Sequence, residues 1–294
     1  MPSPQGKVPQ KAADEERSFR ILFAASSSVS HSLDSFPTGG SQDNQEYILT
    51  MKQSFFTVKS NERIAKNTFK MTLSGDTSEI TRPGGFVNIK LDGLYLRRPI
   101  SVCDAEGSTL TIIYKAVGKG TERMSEMTGG EVLDLLTGLG NGYDLTPAGE
   151  CPVLLGGGAG VPPMYLLCKR LIAEGKKPVV CLGFNGKDEV FFEAEFKALG
   201  AQVLVATADG SYGCRGFVTD ILPETYTYFY TCGPEPMLKA VFRATKTSGQ
   251  FSFEERMGCG FGACMGCTCK TVTGYKRICK DGPVLRKEEI LWDA

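Results

Sequence analysis

Four of the eleven cysteines lie near the C-terminus in a spacing that suits a metal cluster. Cys259, Cys264 and Cys267 follow the pattern C-x4-C-x2-C, and Cys279 comes after a short strand-like run. This spacing, with a well-separated fourth cysteine, is typical of plant-type [2Fe–2S] clusters. Glycines crowd the same loop, where they let the backbone wrap closely and direct N–H groups at the sulfurs. The segment therefore predicts a [2Fe–2S] site.

Two alternatives stay open for these cysteines. Cys269 lies two residues after Cys267, so on an extended strand both side chains would share one face. The spacing of plant-type clusters favours Cys279 as the fourth ligand, and we take Cys269 as a non-ligand. The segment could also be a four-cysteine zinc knuckle or a set of plain buried thiols, although zinc sites more often show two matching C-x2-C pairs.

A second group of residues, in a β-rich region, could bind a flavin nucleotide. The Arg98 guanidinium can donate two hydrogen bonds to a phosphate, and Ser101 offers a hydroxyl at a strand end, suited to a flavin ring nitrogen. Gly120 and Thr121 introduce a short helix predicted over residues 121–127, whose N-terminus could bind a pyrophosphate. Each feature alone is weak, because Arg-Arg-Pro is often a strand edge and Gly-x-Gly-Thr often only a turn.

A third pair of motifs follows two predicted strands. The run Gly156-Gly157-Gly158-Ala159-Gly160 separates an apolar strand from a helix, and Cys232-Gly233-Pro234 does the same further on. Turns of this kind bind phosphate at the carboxyl ends of parallel strands, and two neighbouring ones would form a single crevice. Val161 and the two prolines after it depart from the dinucleotide pattern G-x-G-x-x-G. Cys232 is either a small buried residue or a neighbour of the nicotinamide.

Around these motifs the chain divides into four predicted segments. Residues 1–50 are rich in Ser, Gln, Pro and Gly and are predicted to be a disordered extension, with Met51 as the natural start. Residues 51–148 predict an antiparallel β-barrel, and residues 149–250 a doubly wound parallel α/β sheet; the resemblance described below implies that the first binds FAD and the second NAD. Residues 251–294 predict a small [2Fe–2S] segment. The expected fold class is α+β, multidomain.

Composition excludes several other chemistries. The formal net charge of zero over 294 residues argues against a nucleic-acid or anionic-membrane partner. No apolar run approaches the roughly 18 residues of a membrane span. Without an export signal, we expect reduced thiols and a cytoplasmic location. The one histidine, His31, lies in the predicted disordered segment, so the folded part has no Ser-His-Asp triad, Rieske ligands or histidine-bearing zinc site.

Together these motifs resemble the ferredoxin–NADP reductase superfamily, which pairs a flavin barrel with a nicotinamide-binding domain. RPIS, IYK and GKGT are similar to its flavin-binding strand and phosphate turn, and GGGAG and CGPEPM to its nicotinamide-domain signatures. The segment CGFGACMGCTC, with a further cysteine in RICKDGPV, narrows the resemblance to the electron-transfer subunits of type B, NAD-dependent dihydroorotate dehydrogenases. The resemblance runs from about Met51 to the end, with one departure at Gly85, where a polar residue is common.

The resemblance implies three cofactors: FAD, a [2Fe–2S] cluster, and NAD as electron acceptor. The residues that it assigns to FAD are Arg98, Pro99, Ile100, Ser101, Ile113, Tyr114, Lys115, Gly120 and Thr121. The nicotinamide coenzyme would contact Gly156, Gly157, Gly158, Ala159, Gly160, Cys232, Gly233 and Pro234. The cluster ligands would be Cys259, Cys264, Cys267 and Cys279. The implied partner is an FMN-containing catalytic subunit, in a heterotetramer of two plus two.

The implied function is electron transfer in pyrimidine biosynthesis. Dihydroorotate would be oxidised at FMN on the partner, and electrons would pass through the cluster and FAD to NAD⁺. This division of labour fits a chain without an evident general base. One alternative is a subunit of an NAD(P)H–ferredoxin or sulfide-type oxidoreductase, and another is a redox sensor or regulatory module, against which the GGGAG and CGPEPM pair argues. Coenzyme preference stays open, with candidates around Asn185-Gly186-Lys187 and Ala208-Asp209-Gly210.

Overall fold

The computed structural model describes residues 51–292. The predictions for residues 1–50, including the disordered extension, the start at Met51 and the position of His31, lie outside the described residues. In the described part of the chain, no helix combines the length and the apolar character that a membrane crossing requires.

Six antiparallel strands close into a barrel in the order β1-β2-β5-β4-β3-β6. Their bounds are β1 Lys52–Ala65, β2 Thr68–Ser74, β3 Phe86–Lys90, β4 Arg98–Glu106, β5 Thr109–Lys115 and β6 Val132–Leu139. Alternate side chains such as Val87, Ile89 and Ile112 fill the interior, as the two-residue period of a strand requires. Helix α1, Lys119–Ser125, connects β5 to β6 and begins two residues before the sequence-based prediction.

A seven-stranded sheet follows, in the order β10-β9-β8-β7-β11-β12-β15. Its strands are β7 Val153–Gly157, β8 Val179–Phe184, β9 Gln202–Thr207, β10 Cys214–Arg215, β11 Phe229–Cys232, β12 Gly249–Ser252 and β15 Val284–Arg286. The helices among them are α2 Val161–Ala173, α3 Glu193–Ala198 and α4 Glu235–Ala244. The strand order reverses between β7 and β11, which makes their carboxyl ends the expected ligand crevice.

The C-terminal segment does not form a separate layer. It contains the hairpin of β13 Thr268–Thr271 and β14 Gly274–Arg277, and then β15 pairs antiparallel with β12. Without β15 the backbone groups along one edge of β12 would lack sheet partners. The aromatic ring of Trp292 packs against Phe242 and Phe251 beside this edge. The sheet therefore extends into the segment that carries the cysteines.

Contacts across the fold hold these parts together. The Phe86 and Leu136 side chains on the outer face of the barrel share one hydrophobic cluster with Cys267 and Cys279. The Lys169 ammonium of α2 lies 3.1 Å from the Asp104 carboxylate of β4. The barrel, the parallel sheet and the cysteine loop therefore meet at a shared, largely apolar interface.

Candidate functional site

The predicted flavin-binding strand and the phosphate turn lie side by side. A Cβ atom on Gly120 would come within 2.2 Å of Arg98 Nε, so only glycine lets the Arg98 side chain lie against this turn. The Thr121 hydroxyl accepts a hydrogen bond from the Val117 N–H at 3.0 Å and donates one to the Gly118 carbonyl at 3.1 Å. This places a guanidinium and the start of α1 together, as a bound pyrophosphate requires.

The remaining residues assigned to FAD have different environments. Pro99 and Ser101 of β4 stand directly opposite Asn88 and Phe86 of β3, so they share the outer face of the barrel. The Ile100 side chain is half-buried against the barrel core. Ser101 therefore offers its hydroxyl on the barrel face to which the cysteine loop is also held.

The side chains of the strand that carries Tyr114 contact other parts of the protein. The Tyr114 hydroxyl donates to Asn61 Oδ1 at 2.9 Å, and burial raises the pKa of this phenol to about 12. Its ring stacks on Phe69. The Ile113 side chain is buried against the parallel-sheet domain, and the Lys115 ammonium lies 3.0 Å from Glu189 Oε2. The assignment of these three residues to FAD stays a prediction.

The two Gly-rich turns meet at the carboxyl ends of β7 and β11. A Cβ on Gly160 would lie 2.2 Å from the carbonyl oxygen of Cys232 and 2.5 Å from the nitrogen of Gly233. Gly157 approaches the Met237 thioether in the same way. The backbone segments from 156 to 160 and from 232 to 234 are therefore in direct contact, at the switch point where the ligand crevice of such a sheet is expected.

The two turns meet beside the Cys232 thiol and beside a hydroxyl group, that of Ser252, which the sequence motifs did not indicate. Burial raises the pKa of the Cys232 thiol to about 12, although a hydrogen bond with Ser252 opposes that effect. Ser252 ends β12, and its side chain is buried. The Tyr143 hydroxyl donates to the carbonyl oxygen of Thr231 at 2.9 Å, next to the same strand end. The only sequence signal for Ser252 is a polar residue at the end of an apolar run.

The two segments proposed to select the coenzyme also lie together, at the carboxyl ends of β8 and β9. The Asp209 N–H donates to the Asn185 carbonyl at 3.1 Å, and the Lys187 N–H donates to Ser211 Oγ at 2.8 Å. The Ser211 hydroxyl donates to Asp209 Oδ1 at 2.6 Å. Hydrogen bonds from the Ser211 hydroxyl and N–H hold the pKa of Asp209 below its usual range. This corner of the sheet therefore carries an exposed negative charge.

The four predicted cluster ligands form two neighbouring pairs. Cys259 Sγ accepts hydrogen bonds from the Ala263 N–H at 3.2 Å and the Cys264 N–H at 3.4 Å. Cys264 Sγ accepts from the Cys259 N–H at 3.4 Å. In the second pair, Cys267 Sγ accepts from the Cys279 N–H at 3.4 Å. Thus the structure brings Cys279 to Cys267 across 12 residues of chain.

Backbone N–H groups give this loop the character of an anion-binding site. Partial burial alone would raise the pKa of Cys259, but the N–H groups of Cys264, Phe261 and Ala263 outweigh it and lower the pKa to about 6. Cys279 has the opposite shift, because burial and a hydrogen bond with Cys267 raise its pKa to about 12. Such N–H groups stabilise thiolates and added negative charge, so the donor set fits an iron–sulfur cluster.

Within residues 51–292, no three or more cysteine, histidine or carboxylate side chains are grouped so that they could hold one metal ion. A [2Fe–2S] cluster divides its four thiolates between two irons, and the two cysteine pairs fit that division. Cys269 lies on β13 opposite Lys276, and burial raises the pKa of its thiol.

Two side chains fix the C-terminal segment, one at the cysteine loop and one at β15. The Arg277 guanidinium donates to the Gly262 carbonyl at 2.9 Å and forms an ion pair with Asp281 at 3.1 Å. Asn141, which follows the barrel, donates from Nδ2 to the Val284 carbonyl at 2.7 Å and accepts from the Val284 N–H at 3.0 Å. The Arg277 contacts hold the loop against the hairpin that follows it, and the Asn141 contacts attach β15 to the end of the barrel.

Solved structures with this architecture define the class of the fold. A flavin barrel followed by a parallel nucleotide sheet is the fold of ferredoxin–NADP reductase-like oxidoreductases. The chain superposes on an NADH-dependent reduced ferredoxin–NADP oxidoreductase with a TM-score of 0.73 and 29% identity, covering 81% of this chain and 90% of that one. It superposes on a ferredoxin–NADP⁺ reductase from Neisseria gonorrhoeae, solved with FAD and NADP, with a TM-score of 0.58 and 17% identity, covering 65% and 89%.

Sequence relatives then identify the family. Residues 254–291 match the model of the iron–sulfur cluster binding domain of dihydroorotate dehydrogenase B. The electron transfer subunit of dihydroorotate dehydrogenase B (NAD(+)) from Fusobacterium nucleatum is 44% identical over 257 residues, which are 82% of this chain and 99% of that protein. The Bacillus pumilus subunit is 44% identical over 255 residues, 82% and 98%. This chain belongs to the family of electron transfer subunits of dihydroorotate dehydrogenase B.

Proposed function

We propose that this chain passes electrons from dihydroorotate oxidation, on an FMN-containing catalytic subunit, to NAD⁺ in pyrimidine biosynthesis. The observation that carries the proposal is the direct attachment of the cysteine loop to the barrel that bears the flavin motifs. Both are also joined to the sheet that bears the coenzyme crevice. Relatives at 44% identity favour this function over an NAD(P)H–ferredoxin oxidoreductase, a sulfide-type enzyme or a redox sensor. The eleven cysteines form no disulfide with one another in residues 51–292, which supports a cytoplasmic location.

In this proposal the barrel and α1 hold FAD. When bound, FAD connects one-electron transfer at an iron–sulfur cluster with two-electron hydride exchange with a nicotinamide. The Arg98 guanidinium and the backbone N–H groups of Gly120 and Thr121 bind the pyrophosphate. The Ser101 hydroxyl and the backbone around Ile100 orient the flavin ring against the outer face of the barrel. Side chains alternate along each strand, so those on this face do not fill the barrel interior.

The crevice between the two Gly-rich turns holds the nicotinamide coenzyme. Because its pKa is raised to about 12, the Cys232 thiol stays protonated at neutral pH and places no charge beside a nicotinamide. The Asp209 carboxylate can accept hydrogen bonds from ribose hydroxyls, and its charge repels a 2′-phosphate. We therefore infer a preference for NAD over NADP.

The cysteine loop holds the [2Fe–2S] cluster through Cys259, Cys264, Cys267 and Cys279. The Phe261 and Met265 side chains are exposed on this loop, and exposed apolar side chains at a redox site suit a partner surface. We infer that the catalytic subunit docks here, in an assembly of two copies of each chain. The histidine-free region from 51 to 292 leaves the proton chemistry of dihydroorotate to that partner.

The test compares the chain alone with the chain bound to its catalytic partner. With FAD and cluster loaded, the chain alone should reduce a dye with NADH and should not oxidise dihydroorotate. The complex should couple dihydroorotate oxidation to NAD⁺ reduction, with NADP⁺ a much poorer acceptor. Substantial dihydroorotate turnover by the chain alone would contradict the proposal, and reduction of ferredoxin in place of dihydroorotate coupling would favour the oxidoreductase alternative.

A further inference from the structure

A buried amide occupies the outer face of the barrel between the flavin motif and the cysteine loop. Asn88 is in the middle of β3 and is 1% exposed. Its neighbours Val87 and Ile89 fill the barrel interior, so the Asn88 side chain points outward. It stands opposite Pro99 of the proposed flavin-binding strand β4.

Two independent contacts place the cysteine loop directly on this amide. Asn88 Nδ2 donates a hydrogen bond to the carbonyl oxygen of Cys259 at 3.2 Å, across 171 residues of chain. A Cβ atom on Gly260 would come within 2.2 Å of the same nitrogen. Gly260 also has φ of +80°, a conformation that other residues adopt only with strain. The loop backbone thus passes over Asn88 at a distance that any side chain on residue 260 would prevent.

At this buried position an asparagine stabilises the fold less than an apolar side chain of similar size would. The outward neighbour Phe86 is apolar and packs in the same interface, and a leucine would fill a similar volume. Asn88 Oδ1 is buried and has no hydrogen-bond partner among the residues described. A buried acceptor without a donor destabilises the fold, so its presence indicates that Asn88 has a role other than stability.

We propose that Asn88 is a positioning residue that fixes the backbone at the first cluster ligand against the flavin-binding strand. This inference rests on the proposed function, because it assigns to Asn88 control of how the cluster loop sits relative to the flavin. The hydrogen bond to Cys259 holds the loop against β3. Because Asn88 pairs with Pro99, the loop is thereby also held at a fixed distance from β4. Asn88 contacts the ligand through the backbone, so it tunes the site without coordinating iron.

The experiment uses the full chain, loaded with FAD and cluster, in wild-type form and as Asn88→Leu and Asn88→Asp. Leucine keeps the volume without a donor, and aspartate keeps the shape but cannot donate while ionised. The matched control is Ser54→Ala, which removes a different buried polar atom without a partner, the Ser54 hydroxyl on barrel strand β1. The measurements are the rate of cluster loss to an iron chelator, the rate of flavin reduction by NADH, and the rate of subsequent cluster reduction, followed by rapid-freeze EPR.

Both Asn88 variants should lose the cluster about 2- to 10-fold faster, the factor expected for one lost hydrogen bond. Cluster reduction should slow, while flavin reduction by NADH and the melting temperature of Asn88→Leu should not fall. The Ser54→Ala chain should match wild type throughout. If both Asn88 variants lose and reduce the cluster at wild-type rates, the role of Asn88 is overturned and the proposed function stands. A wild-type chain that takes up no cluster overturns the proposed function, and this inference with it.

Discussion

Gly160→Ala tests whether the coenzyme crevice depends on contact between two backbones. Gly160 precedes α2 with φ of −84°, so alanine fits the local conformation without strain and any effect is steric. The new Cβ would lie 2.2 Å from the oxygen and 2.3 Å from the carbonyl carbon of Cys232. Because both obstacles are main-chain atoms, the turn after β7 or the turn after β11 must move.

The magnitude follows from these distances. A carbon–oxygen contact needs roughly 3.2 to 3.5 Å, so the two turns must separate by about 1 Å. Overpacking of this kind costs about 1–3 kcal/mol in the free energy of unfolding. A displacement of about 1 Å at a reacting site can cost on the order of 100-fold in rate. We therefore expect kcat/KM for NADH to fall by about 100-fold in the variant.

The assay is NADH–dye reductase activity of the FAD-loaded chain, together with its flavin content and melting temperature. Flavin content should stay at the wild-type level, because the proposed FAD contacts lie on the barrel and α1. The matched variant is Gly157→Ala, whose Cβ would meet the flexible end of Met237 at 2.3 Å. That side chain can rotate away, so the loss should be much smaller. Equal losses in both variants, or full activity in Gly160→Ala, would refute the reasoning.

Two further predictions concern the cysteines and an ion pair. Cys279→Ser should abolish the visible and EPR spectra of the cluster, whereas Cys269→Ser should retain them. A cluster that survives Cys279→Ser but not Cys269→Ser would make Cys269 the fourth ligand. Lys52 and the Ser78 backbone N–H lower the pKa of Asp76 to about 2, so this carboxylate stabilises the fold above its unfolded pKa of about 3.9, and the gain is lost as the pH falls toward 2. Because the pair is partly exposed, Asp76→Asn should cost less than about 1 kcal/mol in urea unfolding at neutral pH. The cost should vanish near pH 2, and a difference that persists there would contradict this origin.

Local patterns predicted most of the architecture and the proposed cofactor sites. The cysteine spacing, the Arg98 to Ser101 strand and the run from Gly156 to Gly160 each lie within a few residues of chain. Their chemistry therefore follows from neighbouring residues, whatever the rest of the fold does. Local reasoning did not show which side chains of β5 are buried, because a strand alternates its faces and only the closed barrel decides which face is inside.

Tertiary structure alone decided the contacts that join these motifs. The approach of Gly160 to Cys232, the addition of β15 to the parallel sheet and the hydrogen bond from Asn88 to Cys259 all connect distant parts of the chain. A single sequence carries no local signal for such contacts, since they depend on how the barrel and the sheet pack together. The sequence thus determined which groups are present and the fold that carries them. Packing determined which of those groups touch, because steric fit between backbones is a property of the assembled chain.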